Sequence, residues 1–310
     1  MSLNGLLFSR NRKGFVLVSV LMLGVMLISC ATAFTWFVRQ QVRGIGRERI
    51  LLTNRSLAQV LAGSVMNLLY EVSTQINYDS PTQRWFQPFV IPVDGSEIWI
   101  VQVTPLDDKI PLRNLFLPDG NTLRRELTDI WHDMLDKLNC TGLENILLDF
   151  LDRNTRPRVG SVEADNFINR APYDISELLI LSGDVNSDLV YGSGGQPGFA
   201  DYCTVFSDGQ INLNVAPLHV MELLPGLDVA GLAARIEQSR KEEPLTSLRD
   251  VQSLPGASPR TSTLLTNIAG FRSRYFMMNI QCMSSEGEDG TSFSIIFDRT
   301  IRRIVRWEES

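Results

Sequence analysis

FVLVSVLMLGVMLISCATAFTWFV, residues 15–38, is a run of 24 residues without a charge. At ~1.5 Å per residue, a helix of that length crosses a hydrocarbon layer of ~30 Å. Arg10, Arg12 and Lys13 stand directly before it. A cleaved secretory signal is the competing reading, and three features oppose it. The run exceeds the usual apolar segment of a signal, the small-residue stretch Ala31–Ala33 lies inside it, and helical patterning continues beyond it. The run therefore reads as a retained anchor. Arg39, Arg43, Arg47 and Arg49 follow it, so basic residues flank both ends and the positive-inside rule assigns no orientation.

Working outward, no proline interrupts the chain between Phe15 and Pro81. Val42, Ile45, Ile50, Leu51, Leu57, Val60, Leu61, Val65, Leu68 and Leu69 approximate helical spacing. The spacing predicts one helix from Phe15 to about Tyr70, roughly 80 Å long. Beyond residue 80, Glu97–Val103 alternates as a strand, Asn121–Leu138 reads as a helix capped at Asn121 or Thr122, and Leu143–Leu151 as another. Gly192–Gly198 is a flexible loop by composition, and Thr204–Asn214 reads as a hairpin around Ser207-Asp-Gly209. Three or four short helices run from Ala216 to about Ile268, and two strands, Ser273–Cys282 and Ser292–Val305, close the chain around the acidic loop SSEGEDG. A helical block between elements of one antiparallel sheet is an α+β plan.

The 310 residues are 44% hydrophobic and 21% charged, ordinary for a folded protein. The net charge of −6 argues against a nucleic-acid binder, which is usually basic.

The junction Arg12-Lys13-Gly14-Phe15, a basic leader and a glycine before an apolar helix, resembles the processing site of type IV pilins and pseudopilins. The resemblance implies cleavage between Gly14 and Phe15 by the prepilin peptidase, N-methylation of Phe15, and an N-terminus on the cytoplasmic side with the bulk in the periplasm. Most of these proteins carry glutamate at the fifth mature position, which here is Ser19. Absence of that glutamate is typical of the K-type minor pseudopilin. The stretch Leu147–Glu163 (LLDFLDRNTRPRVGSVE) resembles the family's "DW-x-D … G-x-E" segment, with Phe150 in place of tryptophan. Ala171-Pro-Tyr173, Ser176-Glu-Leu178, Ile211–Pro217 (INLNVAP) and Leu224-Pro-Gly226 follow in the family's order. The match spans nearly the whole mature chain.

What this implies is a pilin-like long N-terminal helix packed on an antiparallel sheet, enlarged by an inserted all-α domain resembling SAM or helix-hairpin-helix units. The expected organisation is a leader over 1–14, a transmembrane helix over 15–38, a stem helix and first strands over 39–106, the inserted domain over 107–269, and C-terminal strands over 270–310. The implied role is non-enzymatic: a single-pass inner-membrane subunit at the tip of the type II secretion pseudopilus. Its implied partners are minor pseudopilins I and J, major pseudopilin G and the inner-membrane assembly platform.

Other chemistry has little support. His132 and His219 stand far apart, in no metal-ligand spacing, and no nucleophile-elbow sequence occurs. Leu224-Pro-Gly-Leu227 and Leu254-Pro-Gly256 resemble paired helix-hairpin-helix units, which would make the chain a membrane-anchored DNA-binding protein. Asp228 follows the first and Ala257-Ser258 the second, so no basic stripe forms. A minor pilin of a type IV pilus is the third alternative. Asp149, Asp152, Asn154, Glu163 and Asp165 crowd one irregular segment and are the expected calcium ligands, and Glu286–Asp289 is a weaker candidate. Cys30 falls in the anchor, leaving Cys140, Cys203 and Cys282, an odd number that allows one disulfide at most: either Cys203 with Cys282, or no bridge and three reduced, buried thiols.

Overall fold

The computed structural model describes residues 11–94, 97–181, 183–284 and 290–310. Residues 1–10 of the expected leader and the Glu286–Asp289 loop lie outside the described residues. The chain divides into two compact units, Met1–Gln59 and Val60–Ser310.

Helix α1 (Asn11–Gln75) supplies the first unit. Within this unit its described large apolar side chains are exposed on every side of the helix, with Leu17 71%, Met22 69% and Phe34 69% exposed. A water-soluble helix would confine such side chains to one stripe, so this surface asks for an apolar solvent. Among the described residues it is the one helix long and apolar enough to cross a membrane, reaching a mean hydropathy of 2.3.

In the second unit, β1 (Phe89–Asp94) and β2 (Glu97–Pro105) begin a sheet. The chain then leaves it through β3 (Ile110–Pro111), α2 (Arg125–Lys137), α3 (Glu144–Leu151), α4 (Ser187–Tyr191), α5 (Phe199–Tyr202) and β4 (Cys203–Thr204). It continues through β5 (Ile211–Asn212), α6 (Leu218–Met221), α7 (Leu232–Glu242), α8 (Leu248–Ser253), α9 (Pro259–Leu265) and β6 (Ala269–Gly270). It returns in β7 (Tyr275–Ser284), β8 (Ser292–Asp298) and β9 (Arg303–Glu309). The sheet order is β1-β2-β7-β8-β9, antiparallel throughout. Strands far apart in sequence, β2 and β7, are thus immediate neighbours, with Pro105 opposite Phe276.

Period-2 alternation gives the sheet two different faces. Trp99, Val101 and Val103 of β2, Phe276, Met278 and Ile280 of β7, and Phe293, Ile295 and Phe297 of β8 are buried on one of them. The same face buries Phe276 between the rings of Phe86 and Phe297, at 5.7 and 5.8 Å. On α1, Ala62, Val65, Met66 and Leu69 make a buried stripe at helical spacing. Both sets stand outside the core of the inserted region, which instead reaches the sheet through Tyr275 and Ile296 on the opposite face. The architecture is the expected α+β plan, a long N-terminal helix and an antiparallel sheet with additional helices.

Several local expectations are corrected. The inserted region is not all helical: β3 pairs with β4 and β5 with β6, both in parallel. The expected Thr204–Asn214 hairpin does not form, because each arm pairs with a strand distant in sequence rather than with the other. Helix α2 starts later than expected. Asn121 and Thr122 donate their N–H groups to Asp119 Oδ1 at 2.9 and 3.0 Å, closing a turn, and Arg124 occupies the N-cap without side-chain capping. The glycine-rich loop is a closed turn: Ser193 and Gln196 exchange both backbone hydrogen bonds, and a Cβ on Gly192 would meet Gln196 O at 2.5 Å. The last expected strand is two strands. Asp298 Oδ1 accepts the N–H groups of Thr300 and Ile301, and Arg302 turns the chain at φ 51°, a conformation rarely taken without glycine. No disulfide joins the described cysteines. Cys203 lies in β4, its thiol against Met134 Sδ at 3.3 Å, whereas Cys282 lies in β7 opposite Trp99.

Candidate functional site

Gly14 and Phe15 are carried in α1, and Ser19 lies on its exposed surface between Val18 and Val20.

The acidic segment gathers only part of the set expected to hold calcium. Asp149, at the end of α3, and Asp152, its C-cap, are buried to 0% and 1% exposure. Between them sits a cation supplied by the chain itself. Arg158 Nη1 lies 2.5 Å from Asp149 Oδ1 and 2.5 Å from Asp152 Oδ2, while its Nη2 donates to Asn121 O at 3.0 Å. The Arg158 backbone N–H donates to Asp149 Oδ2 at 2.9 Å. Asn154 joins the cluster by donating to Asp152 Oδ2 and to Asn121 Oδ1. Burial pushes the Asp152 carboxyl up, against the Arg158 guanidinium that pulls it down. Arg158 was legible as a partner only through the three arginines, 153, 156 and 158, that share the segment with the acids.

Glu163 and Asp165 do not join Asp149 and Asp152 there. Asp165 is exposed. Both carboxylate oxygens of Glu163 are enclosed without a hydrogen-bond partner among the described residues, as are Ser161 Oγ and Asn169 Oδ1. An ionised carboxylate enclosed in this way is costly unless a proton or a cation compensates it. Among the described residues, no three acidic, histidine or cysteine side chains converge on one point.

The histidines are likewise apart. His132 faces Glu144 at 3.0 Å on the surface, which raises its pKa chiefly through that hydrogen bond. His219 contacts the Asp201 carbonyl at 3.0 Å and packs edge-on to Tyr202.

The INLNVAP stretch has a plain structural task that its residue types alone conceal. Asn212 Nδ2 donates to Asp79 O at 3.1 Å and Ser273 Oγ at 3.0 Å, and its Oδ1 accepts the Asn214 N–H. Asn214 brackets Leu245, donating to its carbonyl and accepting from its N–H, each at 2.8 Å. The same junction holds a buried bidentate pair, Arg299 on Asp79 at 2.8 and 2.9 Å. Nearby, Asp107 accepts N–H groups from Asp208, Arg274 and Tyr275 at 2.8–3.0 Å. Asn212 and two carboxylates, Asp79 and Asp107, thereby tie the outgoing and returning ends of the insertion to each other. The Leu-Pro-Gly repeats also turn helices: Gly226 at φ 83° lies between α6 and α7, and Gly256 at φ 90° between α8 and α9.

No protein-family model matches this sequence, and no curated protein matches it. Among solved structures, the fold matches a chain in the crystal structure of the GspK-GspI-GspJ complex from the enterotoxigenic Escherichia coli Type 2 Secretion System. The TM-score is 0.60 at 15% sequence identity, over 87% of this chain and 99% of that one. At that identity the likeness is one of fold.

Proposed function

We propose that this chain is a K-type minor pseudopilin, a non-enzymatic inner-membrane subunit at the tip of a type II secretion pseudopilus that nucleates or caps the filament. The observation that carries the reading is topological: neighbouring strands β2 and β7 are separated in sequence by the whole inserted region, in a fold that begins with an apolar helix. A solved chain from a GspK-GspI-GspJ complex shares that fold. The Gly14–Phe15 junction adds the expected processing chemistry, with the prepilin peptidase cutting between them and Phe15 then methylated. With Ser19 in place of a glutamate, the subunit lacks the carboxylate that would pair with a neighbour's terminal amine. A subunit with no neighbour beyond it has no use for that pair. The anchor then lies in the inner membrane with the rest in the periplasm. The partners are minor pseudopilins I and J, major pseudopilin G and the assembly platform.

Calcium belongs to the same proposal. Of the five expected ligands, Glu163 fits best, because its enclosed carboxylate has no hydrogen-bond partner among the described residues. Asp149, Asp152 and Asn154 would need Arg158 to move before they could serve. Such an ion would supply the positive charge that the Glu163 oxygens lack and fix the loop around it.

The test is co-purification of the full chain, in detergent, with the I-type and J-type minor pseudopilins, with calcium or with a chelator. A defined ternary complex is the expected result. If a folded chain fails to join either partner under both conditions, the tip assignment is wrong. If the complex is indifferent to calcium, and Glu163→Gln neither lowers nor raises its melting temperature, the ion is not part of the protein.

A further inference from the structure

The apolar run ends in an aromatic and basic sequence, Phe34-Thr-Trp-Phe-Val-Arg39, with Arg43 one turn later. Phe34, Trp36 and Phe37 are 69%, 67% and 54% exposed on α1, as expected of rings that sit at the boundary between acyl chains and headgroups. Arg39 and Arg43, at i and i+4, share one face of the helix and are both exposed. Among the described residues no carboxylate engages the guanidinium of Arg39, Arg43 or Arg49, and Glu48 is the sole acidic residue of the stretch 15–59. Arg39 and Arg43 thus present two cations that no carboxylate engages among the described residues.

We infer that Arg39 and Arg43 bind the phosphates of anionic phospholipids at the end of the membrane span. This rests on the anchor reading proposed above. The guanidinium is the side chain suited to it, since its planar fork meets two phosphate oxygens at once. Position decides which arginines take part. At ~1.5 Å per residue, Arg43 lies ~6 Å beyond Arg39, within a headgroup layer of ~5–8 Å. Arg49 lies ~15 Å beyond Arg39, where it acts only through a screened field. The pair also accounts for basic residues on both flanks of the apolar run: on the far flank they serve the lipid rather than the orientation.

Trp36 is the reporter. The full chain is reconstituted in phosphatidylcholine vesicles containing a minor share of phosphatidylglycerol, with brominated acyl chains on one lipid or the other at equal bromine content. Bromine within the bilayer quenches Trp36, while the other tryptophans, at 85, 99, 131 and 307, lie beyond the anchor sequence. The expected result is stronger quenching by brominated phosphatidylglycerol, from an enrichment of about fivefold for each arginine at a phosphate. That preference disappears in an Arg39→Gln, Arg43→Gln double variant and in high salt, and largely survives in Arg49→Gln. Equal quenching by the two lipids leaves the anchor in place and overturns the inference. No quenching by either overturns the anchor reading as well. If the double variant keeps the preference yet loses the I-type and J-type partners, the arginines serve proteins and the lipid assignment falls.

Discussion

The five-stranded sheet and the inserted region between β2 and β7 are held together by different means. In the sheet, backbone ladders run along four strand pairs and the side chains only have to alternate. The insertion has few regular elements: its strands are two residues long and several of its helices only four to six. Its buried backbone groups are satisfied by particular side chains, such as Asn214 on Leu245, Arg240 on the carbonyls of Leu213 and Ala216, and Arg124 on that of Gly209. One region is secured by a repeated pattern, the other by individual residues that have no substitute. A conservative change should therefore be tolerated on the sheet surface and damaging at an asparagine of the insertion.

The largest effect should come from Phe276→Ala, which empties the stack between Phe86 and Phe297 and removes ~3–5 kcal/mol of stability. Denaturant unfolding monitored by circular dichroism measures it. Next is Asn214→Ala, which leaves both backbone groups of buried Leu245 unsatisfied at ~2–4 kcal/mol. Hydrogen exchange should then show lost protection in the insertion with the β2–β7 ladder intact. Loss of protection in both regions together would end the distinction drawn between them.

The pH dependence sharpens the comparison at the junction. Burial pushes the Asp107 carboxyl up from 3.8 to about 7, against the backbone N–H groups of Tyr275, Asp208 and Arg274, which lower it. The folded protein thus holds this proton more tightly than the unfolded chain. Its contribution to stability is complete below about pH 4 and fades as the pH rises through about 7, a change of ~1–3 kcal/mol. Melting temperature should fall between pH 5 and pH 8, and Asp107→Asn should flatten that slope. The smallest effect belongs to Val90→Thr on the outer sheet surface, 60% exposed, at under ~0.5 kcal/mol by the same denaturant assay.

The same division governs what was legible in the sequence. The apolar run, the long helix and the alternation of Glu97–Val103 announce themselves because each repeats one physical rule along the chain. The third strand of the C-terminal ribbon was hidden because its turn uses Arg302, not glycine or asparagine, at a positive φ. The false hairpin at Thr204–Asn214 had the right local chemistry, but β4 and β5 find their partners in Ile110–Pro111 and Ala269–Gly270, far along the sequence. Asp149 and Asp152 read as oxygen ligands for a metal, and the chain supplies Arg158 between them. In each case the deciding partner was remote or of a type that carries no positional signal. The resemblance of the INLNVAP stretch gave its importance without its reason, which is the bracket around Asp79, Ser273 and Leu245.

The adjacency of β2 and β7 also sets an order of events during folding. Pairing Pro105 with Phe276 closes a loop of residues 106–275, and for a disordered loop of that length the closure entropy costs ~4–5 kcal/mol before any ladder bond forms. A folded insertion, its two ends already tied at Asp107 and Asn212, presents those strands side by side and largely removes that cost. The inserted region would then act as the template on which the sheet is completed, and refolding kinetics should show protection arising in the insertion before it arises in β2 and β7.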